Sequence, residues 1–93
     1  MPIIYKYTIE ITDKQIISLP GLTGYSSLLH FEFQGGKLCL WALVDPTQEL
    51  ASIEISIFGT GQEIDSELLS TKKHFTTVFD PRGFVWHIFV PFV

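Results

Sequence analysis

A chain of 93 residues is long enough for one domain, residues 1–93, and too short for two separate cores, so its interior must be used efficiently or supplemented by association. Apolar residues make up 46% of it and aromatics 14%, against 17% charged, which leaves few charges to cover the surface and points to apolar area held between subunits. The net charge of -4, with six scattered basic residues, excludes a general nucleic-acid binder, whose affinity comes from neutralising phosphates.

In chain order, the opening MPIIYKYTIE lacks the regions of a signal peptide, and no apolar run reaches the length of a membrane span. A cytosolic chain without membrane association is expected. Ile3, Tyr5, Tyr7, Ile9 and Ile11 alternate with Ile4, Lys6, Thr8 and Glu10, the period of a half-buried strand. A tight turn at Thr12-Asp13-Lys14 returns the chain as a short strand over residues 15–19, closed by Pro20-Gly21. Leu29, Phe31 and Phe33 alternate with His30, Glu32 and Gln34 in a third strand, which pairs through Gly35-Gly36 with residues 37–45 as a hairpin.

The stretch 37–45, KLCLWALVD, is apolar on both strand faces: Leu38, Leu40, Ala42 and Val44 on one, Cys39, Trp41 and Leu43 on the other. That pattern predicts a central strand covered above and below, ended by Asp45-Pro46. Cys39 is the sole cysteine, so an intrachain disulfide and a paired-cysteine zinc site are both excluded, and a small buried hydrophobe is its expected role.

Ile53, Ile55 and Ile57 against Glu54 and Ser56 give the clearest alternation in the chain and lead into Phe58-Gly59-Thr60-Gly61. Residues 63–70 suit a helical turn capped by Asp65 or Ser66. Phe75, Thr77 and Phe79 form another strand, Asp80-Pro81-Arg82-Gly83 a turn, and residues 84–90 the last strand. About seven short strands separated by turn signals predict an all-β antiparallel sandwich or barrel. The last segment, FVWHIFVPFV, is apolar on both faces, so at least a dimer using part of residues 84–92 is expected.

Residues with chemistry are few. Gly59-Thr60-Gly61 can expose successive backbone donors as a nest for an anion; the same glycines also suit a bulge or a strand corner. Arg82, the single arginine, offers a planar fork to a phosphate or carboxylate, and Trp86 a stacking surface nearby. His87, between Trp86 and Ile88, needs a partner for its imidazole. His30, His74 and His87 lie on three different strands without metal-ligand spacing, and no serine occupies a nucleophile elbow, so neither a metal site nor a catalytic residue is assigned and no cofactor is expected.

The combination LCLWALVD at residues 38–45, IFGTG at 57–61 and FVWHIF at 84–89, after an opening IYKYTIEITD at 4–13, resembles a family of small uncharacterised phage and prophage proteins, a domain of unknown function. The resemblance implies a small accessory protein made in the host cytoplasm of an infected bacterium, and it carries no site residues. Two non-enzymatic functions follow. One is an oligomer sequestering an anionic, nucleotide-like signal of host defence at Gly59, Thr60, Gly61, Arg82 and Trp86; the other is a structural or protein-interaction module with no small ligand.

Overall fold

The computed structural model describes residues 1–92. Its strands are β1 (Ile3–Thr8), β2 (Gln15–Pro20), β3 (Leu28–Gln34), β4 (Lys37–Val44), β5 (Leu50–Gly59), β6 (Lys72–Phe79) and β7 (Val85–Pro91), with a 3-10 turn at Tyr25–Ser27 and a short helix α1 (Ser66–Thr71). Two antiparallel sheets result, ordered β1-β4-β3 and β2-β5-β7-β6. The fold is therefore an all-β sandwich and not a closed barrel, because each sheet ends in two edge strands.

Alternation decides which side of each strand enters the core. Leu38, Leu40, Ala42 and Val44 of β4 meet Ile53, Ile55 and Ile57 of β5 and Ile88 and Val90 of β7 in one buried cluster, with Phe31 of β3 set edge-to-face on Phe75 of β6 at 5.4 Å. The β3–β4 turn is made by Gly35 and Gly36, both at positive φ, the combination that a two-residue type I′ hairpin requires. Helix α1 starts at Asp65, whose carboxylate accepts the Glu67 N–H at 3.0 Å.

Two expectations are corrected. Residues 12–14 do not close a hairpin: β1 pairs with β4 and β2 with β5, so the chain crosses between sheets there, with Ile9 and Ile11 packed against the core on the way. Strand β4 is the centre of its sheet, but its second face has no covering layer. Leu43 is exposed and Trp41 half-buried beside His30, while Cys39 is buried on a face that the Lys6 ammonium crosses to donate to the Gln34 amide oxygen at 2.6 Å. Strand β7 lies between β5 and β6 with Ile88 and Val90 buried in the core, while Trp86, His87 and Phe89 are half-buried and Phe84 is exposed, so the fold covers this apolar segment in part.

Candidate functional site

The turn after β5 is built by Gly59, Thr60, Gly61 and Gln62. The Gln62 N–H donates to the Gly59 carbonyl at 3.1 Å, and Gly61 supplies the positive φ that the third position of such a turn needs. Two of the donors proposed for an anion are already engaged: Gly59 N–H donates to Gln62 Oε1 at 3.1 Å, and Thr60 N–H to the Val85 carbonyl at 3.2 Å. Gln62 Nε2 in turn donates to Asp13 at 2.8 Å, tying the turn to the loop before β2.

Gly59 and Trp86 face each other across β5 and β7. A β-carbon at Gly59 would stand 3.2 Å from the indole ring, so glycine is what lets the strand approach it. Gly59, Thr60, Phe84 and Trp86 line one cleft at this end of the sandwich, with the two aromatic rings 6.0 Å apart.

Arg82 lies outside that cleft. Its guanidinium is forked onto Asp80, with Nη2 to Oδ2 at 2.6 Å and Nε to Oδ1 at 3.1 Å, and the Arg82 N–H and Trp86 indole N–H donate to the same carboxylate. Asp80 is buried, and the Arg82 guanidinium holds its carboxyl well below the usual carboxylate range, against the opposing effect of burial. Asp80 correspondingly pushes the Arg82 guanidinium up. The outer side of Arg82 borders a separate cleft with Glu10, Phe33 and Lys37. The structure thus brings Gly59, Thr60 and Trp86 together, places Gly61 on the turn beside them, and joins Arg82 to them through Asp80 and the Trp86 indole and through the Phe84 ring, which lies 5.5 Å from the guanidinium.

His87 points to the opposite face from Trp86 and Ile88, as strand alternation demands. Its Nε2 lies 2.8 Å from Thr60 Oγ1 and its Nδ1 3.0 Å from Thr77 Oγ1, and Thr77 Oγ1 is also 2.8 Å from His74 Nε2. This chain of two threonines and two imidazoles escapes sequence reasoning because it depends on strand register: Thr60 is 27 residues from His87, and Thr77 meets His87 only through the pairing of β6 with β7. Asp80 was findable: an aspartate two residues before an arginine in a turn is within reach of it.

A second feature lies at the open margin of the three-stranded sheet. The Ile9 N–H donates to the Leu38 carbonyl at 3.0 Å, so the odd residues of β1 are bonded to β4 and the N–H and C=O groups of Ile4, Lys6 and Thr8 point to the open edge. Apolar side chains flank that edge on both faces. Ile3 and Tyr5, on the core side, are 43% and 44% exposed, and Ile4, on the outer side, 56%.

Sheet order and these two features define the class: an antiparallel two-sheet sandwich with an aromatic cleft at one end and an open, apolar strand edge. The chain belongs to the family described as a domain of unknown function, DUF7352, whose model matches residues 1–92. No curated protein and no solved structure matches it.

Proposed function

We propose that this protein is a non-enzymatic interaction module that takes up an extended segment of another protein chain along β1, as an accessory protein in the cytoplasm of a phage-infected cell. The observation that carries this reading is the β1 edge, which presents unpaired backbone groups at Ile4, Lys6 and Thr8 between apolar side chains on both faces. Strand addition uses main-chain hydrogen bonds for affinity and alternate side chains for specificity, and β1 offers both. Amide exchange at Ile4, Lys6 and Thr8 tests it: exchange slowed in an infected-cell extract or at high protein concentration supports the reading, and solvent-like exchange under every condition overturns it.

Sequestration of a nucleotide-like ligand is the second reading, and the shared cleft of Gly59, Thr60, Phe84 and Trp86 favours it, since two aromatic rings there suit a planar base. It ranks below the first because no basic side chain lines that cleft and the fork of Arg82 is taken by Asp80. A nucleotide or cyclic dinucleotide that raises the melting temperature, with the rise lost in Trp86→Ala, would reverse the order.

A further inference from the structure

We propose that the occupant of the β1 edge is a second copy of this chain, paired antiparallel about a twofold axis through Tyr5, so that two three-stranded sheets join into one of six strands. This rests on the edge-pairing reading above and adds the identity of the partner.

The four edge strands are not equivalent. Strands β3 and β6 are each interrupted by a bulge, and Pro20, pointing outward from β2, has no N–H and gives its carbonyl to Asp45. Strand β1, like β2, runs through six consecutive regular pairs, and it does so with no proline among its outward-facing residues Ile4, Lys6 and Thr8. A lysine on an edge normally guards it, but the Lys6 ammonium is drawn inward over the sheet to Gln34 at 2.6 Å.

The edge is also complementary to itself in one register. A twofold axis perpendicular to the sheet sets each residue opposite one on the same face, so the axis passes through a residue; an axis through Tyr5 or Lys6 brings five residues of β1 into register, one through Ile4 or Tyr7 only three. An axis through Lys6 puts the two lysines directly opposite each other. With the axis through Tyr5, Ile4 and the second copy's Lys6 exchange both N–H···O bonds, twice over by symmetry, and both lysine side chains stay turned inward to Gln34, clear of the seam. On the core side Ile3 meets Tyr7 and the two Tyr5 rings meet each other. The side chains that the second sheet leaves uncovered are thus the ones that the second copy covers.

The test combines light scattering with two sets of variants. Wild-type protein at micromolar concentration is expected at twice the chain mass. Ile4→Pro removes an N–H that faces the edge and makes no bond to β4, so it is expected to keep the native circular dichroism and halve the mass. A cysteine at the axis stands opposite its own copy in a non-hydrogen-bonded pair, with α-carbons about 4.5 Å apart, within reach of a disulfide. Oxidised Tyr5→Cys is therefore expected to run as a covalent dimer and Ile4→Cys as a monomer. If Ile4→Pro fails to fold, the cysteine pair decides alone. A dimer that Ile4→Pro leaves intact, or one linked by Ile4→Cys and not by Tyr5→Cys, overturns the proposal. A monomeric wild type whose edge amides are nevertheless slowed in the infected-cell extract overturns the second copy and leaves the interaction module standing, whereas edge amides that exchange freely everywhere overturn both.

Discussion

Asp80 gathers three groups around one carboxylate: the Arg82 guanidinium, the Arg82 backbone N–H and the Trp86 indole. Because these favour its charged form, the folded protein binds the Asp80 proton less tightly than the unfolded chain does. The stabilisation is therefore complete above the unfolded value, near ~3.9, and is lost as the pH falls through the lower folded value. Asp80→Asn is expected to be less stable at neutral pH and to show a weaker further loss on acidification; urea titrations across the acid range measure both, and equal acid slopes in the two proteins would contradict it. Cys39 gives a second expectation at this scale. Buried beneath the Lys6–Gln34 bridge, it is expected to react slowly with a thiol reagent in the native state, quickly after denaturation, and faster in native Lys6→Ala than in the wild type. Equal labelling rates in the two native proteins would show that the bridge does not shield it.

At the level of elements, β5 places Ile55 in the middle of the core with no exposed area, so Ile55→Ala is expected to cost about 2–5 kcal/mol of stability by denaturant unfolding. Gly36→Ala forces a β-carbon into a left-handed turn position where nothing else crowds it, so its expected cost is smaller, about 1 kcal/mol. Strand β5, the Gly35-Gly36 hairpin, the turn at residues 80–83 and the Asp65 cap were all legible because each rests on a local rule of alternation, φ or capping. The β1–β2 relation was not, since Thr12-Asp13-Lys14 has the composition of a hairpin turn whether or not the flanking strands share a sheet. Nor was the environment of β4: Cys39, Trp41 and Leu43 are apolar letters, but whether anything covers them depends on layers assembled from distant residues. Among the candidate site residues, Gly59, Thr60 and Trp86 share one cleft through strand pairing that local sequence does not reveal, whereas the fork of Arg82 onto Asp80 is legible from the carboxylate two residues before it.

For the molecule as a whole, protection should be graded. The inner strands β5 and β7 are buried between neighbours on both sides, whereas β1 is bonded on one edge and poorly covered at Ile3 and Tyr5. Hydrogen exchange under native conditions is expected to be slowest in β5 and β7 and fastest at the edge-facing amides of β1 in dilute protein; uniform protection across both sheets would contradict this.

The crossing at residues 9–14 also sets an order in time. Of the strands of this sandwich, β1 and β2 leave the ribosome before the others, yet neither has a partner until β4 and β5 follow. The earliest pairing available to the growing chain is the β3–β4 hairpin, onto whose free side β1 must later be drawn back by closing a long loop. The β1 segment, rich in isoleucine and tyrosine, therefore waits unpaired until β4 has followed it, and it is in that interval that the chain is most open to pairing wrongly.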